Sequence, residues 1–323
     1  MGEPLLKIKN LQKKYPIYGP LGKFFPPKTH MKAVADVSLT LYEGETYGLV
    51  GESGCGKSTT GRSILGLVKP EGGEILYRDK DLTKLNDEQF RPLRSDLQMV
   101  FQDTLSSLNP RCRIGQLLEE PLVIQNIGTP QERRRMVLDA LTMVGLSEEH
   151  YFRYPHELSG GQVQRLGIAR AMIIHPRLII CDEPVSALDV SIQSQILNML
   201  TRLQKEKNLS LLFISHDIGV VRYISHRIGV MYLGTLVEEA ETEELFANTL
   251  HPYTKALFAS IPDIRRKERR VSLAGELPQH TDEFQGCVFH TRCPYATEQC
   301  RQCAPQMKEV TPGHRVACHL VQE

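Results

Sequence analysis

No apolar run in the chain approaches the roughly 18 residues that a membrane-crossing helix needs. The nearest candidates, LLFISHD and LIICDEP, are short and end in polar residues, so any membrane role is expected to come through a partner. The opening MGEPLLKIKN lacks the basic n-region and long apolar h-region of a secretion signal, and MGEPLL lacks the Ser or Thr of a myristoylation site. The expectation is a chain that stays in the cytoplasm. Charge of one sign is missing too. Lys and Arg total 39 against 38 for Asp and Glu, a net charge of +1, so no global field points to nucleic acid or an anionic membrane as the main partner. The run RRKERR at 265–270 is local; it reads as a solvated linker, with contact to lipid headgroups or a partner as the alternative. There is no internal repeat and no low-complexity tract. At 323 residues, 41% of them hydrophobic, the chain can bury a large core in about two domains or in one with additions.

What is present is an alternation. LLKIKN, TYGLVGE, LQMVFQD, LIICDEP and LSLLFISHD are short apolar runs ending in Gly, Asp, Glu or His, with longer helix-like stretches between them. That pattern predicts an α/β protein whose functional residues sit at the C-terminal ends of buried parallel strands. Between about 103 and 176 the pattern changes: IGQLLEEPLVIQ, PQERRRMVLDALTMVGL and SGGQVQRLGIARAMII read as helices with no strand among them, which predicts an inserted helical subdomain. Residues 1–250 are expected to form the main domain, and 251–323 a C-terminal extension with a cysteine-rich tail.

The strongest local signal is Gly51-Glu52-Ser53-Gly54-Cys55-Gly56-Lys57-Ser58, which fits G-x-x-x-x-G-K-[ST] between a strand-like and a helix-like segment. Glycines let the backbone curl so that successive N–H groups point at phosphate oxygens, and the helix N-terminus adds partial positive charge. Lys57 can reach the β- and γ-phosphates, with Ser53, Cys55 and Thr59 around them, and the Ser58 hydroxyl can take a Mg²⁺ position. LIICDEP adds the metal and water chemistry: Asp182 to hold Mg²⁺, directly or through water, and Glu183 to orient and polarise the attacking water. Cys181, inside that strand, reads as a buried small hydrophobe.

Ser159-Gly160-Gly161-Gln162, preceded by Leu158, is an LSGGQ element, and with the two motifs above it makes the chain resemble an ABC-type ATPase. The resemblance covers essentially the whole chain and implies a P-loop NTPase core with a β-rich N-terminal part. Gln102 in MVFQD matches the family's Q-loop, Ser186-Ala187-Leu188-Asp189 its D-loop and His216 in FISHD its H-loop. Physically, LSGGQ begins a helix with Ser159 at or near the N-cap and forms a second anion site; a capped helix with a tight Gly-Gly contact would use the same residues. The resemblance implies that this site takes the ATP of a partner cassette, so that each ATP lies between the P-loop of one and LSGGQ of the other. It also implies that His216 bonds the γ-phosphate, that Gln102 faces Mg²⁺ and the attacking water, and that Tyr15, with Tyr18 as neighbouring candidate, stacks on adenine.

FQDTLSSLNPR, RYPHELSGGQ, DEPVSALDVSIQSQILN, HPYTKALFASIP and GELP look like the ATP-binding subunits of dipeptide/oligopeptide importers, and the insertion PIYGPLGKFFPPKTHMK resembles the second of that family's two paralogous ATPases. The implied partners are a paralogous cassette, favoured over a second copy of this chain, two transmembrane permease subunits and an extracytoplasmic substrate-binding protein. The implied location is the cytoplasmic face of the membrane. Nickel, a heme-like ligand or a glycan is the alternative cargo, and a soluble ABC ATPase of translation or DNA repair the alternative class. Thr104 departs from the family, which has Pro after FQD; the expected effect is on the local turn.

Five of the eight cysteines fall in the tail, as Cys287, Cys293, Cys300, Cys303 and Cys318. Their spacing matches no usual zinc-finger template closely, and a cytoplasmic location disfavours disulfides. The segment resembles the part of peptide-importer ATPases that holds a [4Fe-4S] cluster, which would assign Cys287, Cys293, Cys300 and Cys318 as ligands and leave Cys303 as an extra thiol. Zinc, with His290, His314 or His319 as substitute ligands, and free thiols are the alternatives.

Overall fold

The computed structural model describes residues 2–18, 27–259, 278, 280–281 and 284–321. The basic run 265–270 and much of the N-terminal insertion lie outside the described residues. The strands are, in chain order, β1 (Pro4–Ile17), β2 (Thr29–Tyr42), β3 (Thr46–Val50), β4 (Gly72–Tyr77), β5 (Lys80–Asp81) and β6 (Leu97–Val100). They continue with β7 (Leu178–Asp182), β8 (Ser210–Ser215), β9 (Arg227–Tyr232), β10 (Thr235–Glu241), β11 (Lys308–Thr311) and β12 (His314–Val316). No helix among the described residues is long and apolar enough to cross a membrane.

The chain divides into two compact units. One is made mainly of Glu43–Thr46 and Leu85–Ile214. In it β7 pairs in parallel with both β6 and β8. Leu178, Ile179, Ile180 and Cys181 of β7, and Leu211 to Ile214 of β8, have at most 0% of their surface exposed, as the near-continuous apolar runs of a parallel sheet covered on both faces require. Each such Leu or Ile removed from water contributes about 1.5–3 kcal/mol before chain entropy is counted. Burial pushes the Cys181 thiol up to about 12, with the Asp182 carboxylate adding in the same direction, so it is an inert core group.

Between β6 and β7 the chain is helical, as the sequence pattern predicts: Ile114–Ile124, Pro130–Met143 and Gly160–Met172, with no strand. The second of these helices starts where its sequence says it should. Pro130 occupies the first turn, Glu132 Oε2 accepts from Thr129 N–H at 2.7 Å, and Thr129 Oγ1 accepts from Glu132 N–H, the reciprocal cap that satisfies two otherwise orphaned donors.

The other unit comprises Glu3–Tyr42, Tyr47–Lys84 and Ser215–Glu323. Here β1 pairs antiparallel with β2 and β4, β4 with β5, and β9 with β10, while β3 runs parallel to β9. The β-rich N-terminal part is therefore antiparallel, with the parallel β3 beside β9. β12 extends the same unit by pairing antiparallel with β10 and β11.

Candidate functional site

β3 is buried along its whole length and delivers the chain into the phosphate-binding motif. Gly51, Gly54 and Gly56 have φ of 155°, 82° and 103°. A Cβ at Gly51 would stand 2.1 Å from the Met231 carbonyl oxygen, and one at Gly56 2.0 Å from that of Ala33, so at both positions close backbone approach demands glycine. At Gly54 a Cβ would meet nothing within 4 Å; the loop encloses open space on that side, as a cradle for phosphate requires. Helix Lys57–Ile64 follows with Gly56 as N-cap, presenting its first N–H groups and the positive end of its dipole. Ser53 is exposed, Ser58 and Thr59 are half-buried, and Cys55 is buried. Lys57 is itself buried, and its Nζ donates to the carbonyls of Gly51 (2.8 Å) and Glu52 (3.0 Å). The cradle thus holds its own cation ready for an anionic ligand. Burial raises the Cys55 thiol, which leaves it neutral.

In the other unit, Asp182 is fully buried at the end of β7, and Glu183 turns out of the strand with φ of 47°. This left-handed backbone is uncommon for a non-glycine residue and costs about 1–3 kcal/mol. It is held by the Glu183 N–H, which donates to the Ile214 carbonyl at 2.9 Å. The Glu183 carboxylate accepts from Gln102 Nε2 at 3.1 Å. A carboxylate at a strand end with an amide aimed at it is suited to hold and polarise a water. Asp182 and Gln102 offer hard oxygen donors, as in its own unit does the Ser58 hydroxyl, and oxygen donors suit Mg²⁺ rather than a softer metal.

Ser159 is the N-cap of helix Gly160–Met172, and Gln162 Oε1 accepts from the Ser159 N–H at 3.0 Å. Ser159 and Gly160 are exposed. A Cβ at Gly161 would come within 2.6 Å of Ile192 Cγ2, so this glycine serves packing as well as any ligand. Asp189 caps helix Val190–Lys207 and is exposed, as is Gln102. His216 is exposed just beyond β8. Tyr15 lies on β1, 37% exposed, with Lys13 Nζ 5.4 Å from its ring centre.

Thr104 bonds within the local turn, where the sequence places its effect, and also reaches a neighbouring helix. It is buried, and its Oγ1 lies 3.0 Å from the Phe101 carbonyl and 2.9 Å from the Gln164 side-chain amide. The segment after Gln102 is thereby tied to the helix that begins at LSGGQ.

In the tail, Cys287 and Cys300 are buried, Cys293 and Cys318 half-buried and Cys303 exposed. The Cys287 N–H donates to the Cys300 carbonyl at 2.7 Å, and the preceding Gly286 (φ 77°) would put a Cβ 2.4 Å from that oxygen. Burial raises the thiols of Cys287 (to about 11), Cys293 and Cys318, and the charges of the neighbouring cysteines push the same way. Across these three, every pair among Cys287, Cys293, Cys300 and Cys318 interacts. Among the described residues, however, no group of three or more His, Cys, Asp or Glu is gathered tightly enough to hold a metal ion.

Of the alternative ligands, His314 is not a surface residue: it is 1% exposed and bonds Glu238 (3.0 Å) and Glu244 (3.3 Å). Glu238 also accepts from the N–H groups of Leu250 and His251, which joins HPYT to the tail. His290 and His319 bond the carbonyls of Cys287 and Cys303.

His251 is 1% exposed, and its Nδ1 accepts from the Tyr253 N–H. Burial pushes its imidazole from 6.5 down to about 4, Glu238 opposing and Lys255 assisting. A neutral imidazole is therefore favoured in the folded chain. Its contribution is complete above the unfolded value and is lost as pH falls from 6.5 towards 4, by about 3 kcal/mol in all. His314, raised by its bond to Glu238 and then by Glu244 despite burial, has the opposite slope. Its contribution is complete below pH 6.5 and fades as pH rises through its folded value. Urea unfolding at stepped pH is expected to show the acid limb, and His251→Asn, which keeps an acceptor for Tyr253, is expected to flatten it.

Comparisons with known proteins agree with this geometry. Residues 34–186 match the family described as ABC transporter, and residues 237–300 the oligopeptide/dipeptide transporter, C-terminal region. The chain is 50% identical over 323 residues to the oligopeptide transport ATP-binding protein AppF of Bacillus subtilis, covering 98% of each chain. It is 50% identical to OppF of Salmonella typhimurium, covering 97% of this chain and 95% of that one. Among solved structures, a dimeric post-hydrolysis state of the ATP-binding cassette MJ0796 bound to ADP and Pi matches with a TM-score of 0.65 and 32% identity, over 73% of this chain and 98% of that one. From the phosphate-binding loop to the HPYT segment and beyond, this chain belongs to the ATP-binding subunits of oligopeptide and dipeptide ABC transporters.

Proposed function

We propose that the chain hydrolyses ATP at the cytoplasmic face of the membrane to drive import of di- or oligopeptides. Its partners in that reading are a paralogous cassette, two permease subunits and an extracytoplasmic substrate-binding protein. Residues 1–250 form the cassette and 251–323 an extension. The observation that carries the hydrolytic reading is Glu183, held in a left-handed conformation with its carboxylate on Gln102. Relatives named as oligopeptide and dipeptide transport proteins supply the cargo class.

The N–H groups around Gly54, Gly56 and Thr59, with Ser53 and Cys55, donate to the phosphates, while Lys57 exchanges the Gly51 and Glu52 carbonyls for phosphate oxygens. Tyr15 stacks on adenine. Ser58, Asp182 and Gln102 would hold Mg²⁺, which when bound neutralises charge on the β- and γ-phosphates. Glu183 takes the proton of a water attacking the γ-phosphorus in line, the bond from that phosphorus to the bridging oxygen breaks, and ADP leaves with the bond's electrons. Gln102 orients the water, and His216 donates to the γ-phosphate. Ser159, Gly160, Gly161 and Gln162, beside Asp189, meet the ATP held by the partner cassette, to which exposed Ser159 and Gly160 are open.

For the tail we propose a [4Fe-4S] cluster on Cys287, Cys293, Cys300 and Cys318, which when bound supplies a covalent cross-link through four thiolates. The four thiols lie in one another's electrostatic field, which is what this reading rests on besides the resemblance, while among the described residues no group is gathered closely enough to hold a metal ion. Exposed Cys303 stays outside the set. Purification of the tagged chain from detergent-solubilised membranes, with every co-purifying chain identified, tests the assembly: two permeases and a second, different cassette are expected.

A further inference from the structure

We infer that Arg292 is a positioning residue of the nucleotide site: its guanidinium holds and neutralises Glu52 of the phosphate-binding loop, so the cysteine-rich tail clamps the cradle and sets its affinity for ATP. The observation is a two-pronged ion pair. Arg292 Nη1 lies 2.7 Å from Glu52 Oε2 and Nη2 lies 3.1 Å from Oε1. The Arg292 side chain is only 8% exposed, and the Tyr232 hydroxyl lies 3.3 Å from Nη1. Planar forks of this kind fix geometry as well as charge.

Glu52 is gripped at a second point, because its N–H donates to the Tyr253 hydroxyl at 3.0 Å. Tyr253, from HPYT, packs with Tyr232 and Phe289, and Phe289 lies between Cys287 and Arg292. The carbonyl of the same Glu52 is one of the two that receive Lys57 Nζ. One residue of the loop therefore touches the tail through its carboxylate, the HPYT tyrosine through its N–H, and the phosphate-binding lysine through its carbonyl.

The charge matters as much as the grip. The Glu52 carboxylate is within electrostatic reach of Cys55, inside the loop, where a polyanionic ligand is to bind. Paired with Arg292 it is neutralised; alone, it would repel the phosphates in a site where burial weakens screening. Arg292 sits one residue before Cys293, so whatever orders that part of the tail also orders the guanidinium.

The inference rests on the ATP-binding reading, and the test separates the two. Binding of ATP with Mg²⁺ to the full chain is measured for wild type, Arg292→Gln, Glu52→Gln and the double variant, together with KM and kcat. Arg292→Gln is expected to weaken binding about tenfold, in KM rather than kcat. The double variant, which removes the exposed anion as well, is expected to recover to within about threefold of wild type, and Glu52→Gln to bind at least as tightly as wild type. A mere strut gives a different pattern: both single variants weaken alike and the double is no better, and that result overturns the inference. So does Arg292→Gln binding like wild type. Wild-type chain that binds no ATP would instead overturn the nucleotide reading itself.

Discussion

Glu183→Gln is expected to leave ATP binding intact and to slow phosphate release at least about 100-fold, the lower end of what a positioned general base contributes. The substitution keeps the size of the side chain and its contact with the Gln102 amide. It removes the one property that the geometry sets up, a carboxylate oxygen able to take a proton at the end of β7. The backbone argues for the same role. Glu183 carries its left-handed φ of 47° while its N–H is tied to Ile214, and strain of that kind persists only where the surrounding structure enforces it. Phosphate release and nucleotide retention, measured on the assembled cassettes, check the result. Hydrolysis at the wild-type rate would remove Glu183 from the chemistry.

The second large effect concerns the tail. Anaerobically purified wild-type chain is expected to contain about four irons and as much acid-labile sulfide. Serine at Cys287, Cys293, Cys300 or Cys318 is expected to abolish most of that content, and Cys303→Ser to preserve it. The physical ground is the contrast among the thiols: two are buried, two half-buried and Cys303 exposed, and the first four lie in one another's field. With the Cys287, Cys293 and Cys318 thiols raised towards the neutral form, metal binding must displace protons, so retention should weaken in acid. Zinc in place of iron, or iron that survives loss of any one of the four, would reject the cluster.

Much of this was legible along the chain. Gly51 to Ser58 could be read because a phosphate cradle is built from consecutive backbone groups, and its glycine requirement shows in the structure as carbonyl oxygens 2.0–2.1 Å from where side chains would stand. β7 and β8 could be read because buried parallel strands leave continuous apolar runs. The helices between 103 and 176 could be read from their period and, at Thr129 to Glu132, from a cap that lies within four residues.

Contacts that join distant stretches left no such trace. Arg292 and Glu52 are 240 residues apart, Thr104 and Gln164 are 60, and His314 and Glu238 are 76. None has a period or a local motif, so His314 read as a substitute zinc ligand although it is buried against two carboxylates. HPYT was recognisable only by resemblance. Its chemistry, a tyrosine hydroxyl receiving a backbone N–H of the phosphate-binding loop and a histidine kept neutral by burial, became visible only with the fold.

Whether this chain is an ATPase subunit that powers peptide import with other chains is decided on the assembly isolated from membranes. Its ATP hydrolysis is measured with and without peptide-loaded binding protein. The expected result is a complex of two permeases and two different cassettes whose hydrolysis rises when loaded binding protein is added and collapses with Glu183→Gln. A chain recovered with ribosomes or DNA and no permease, or a permease complex whose hydrolysis ignores the loaded binding protein, would contradict it.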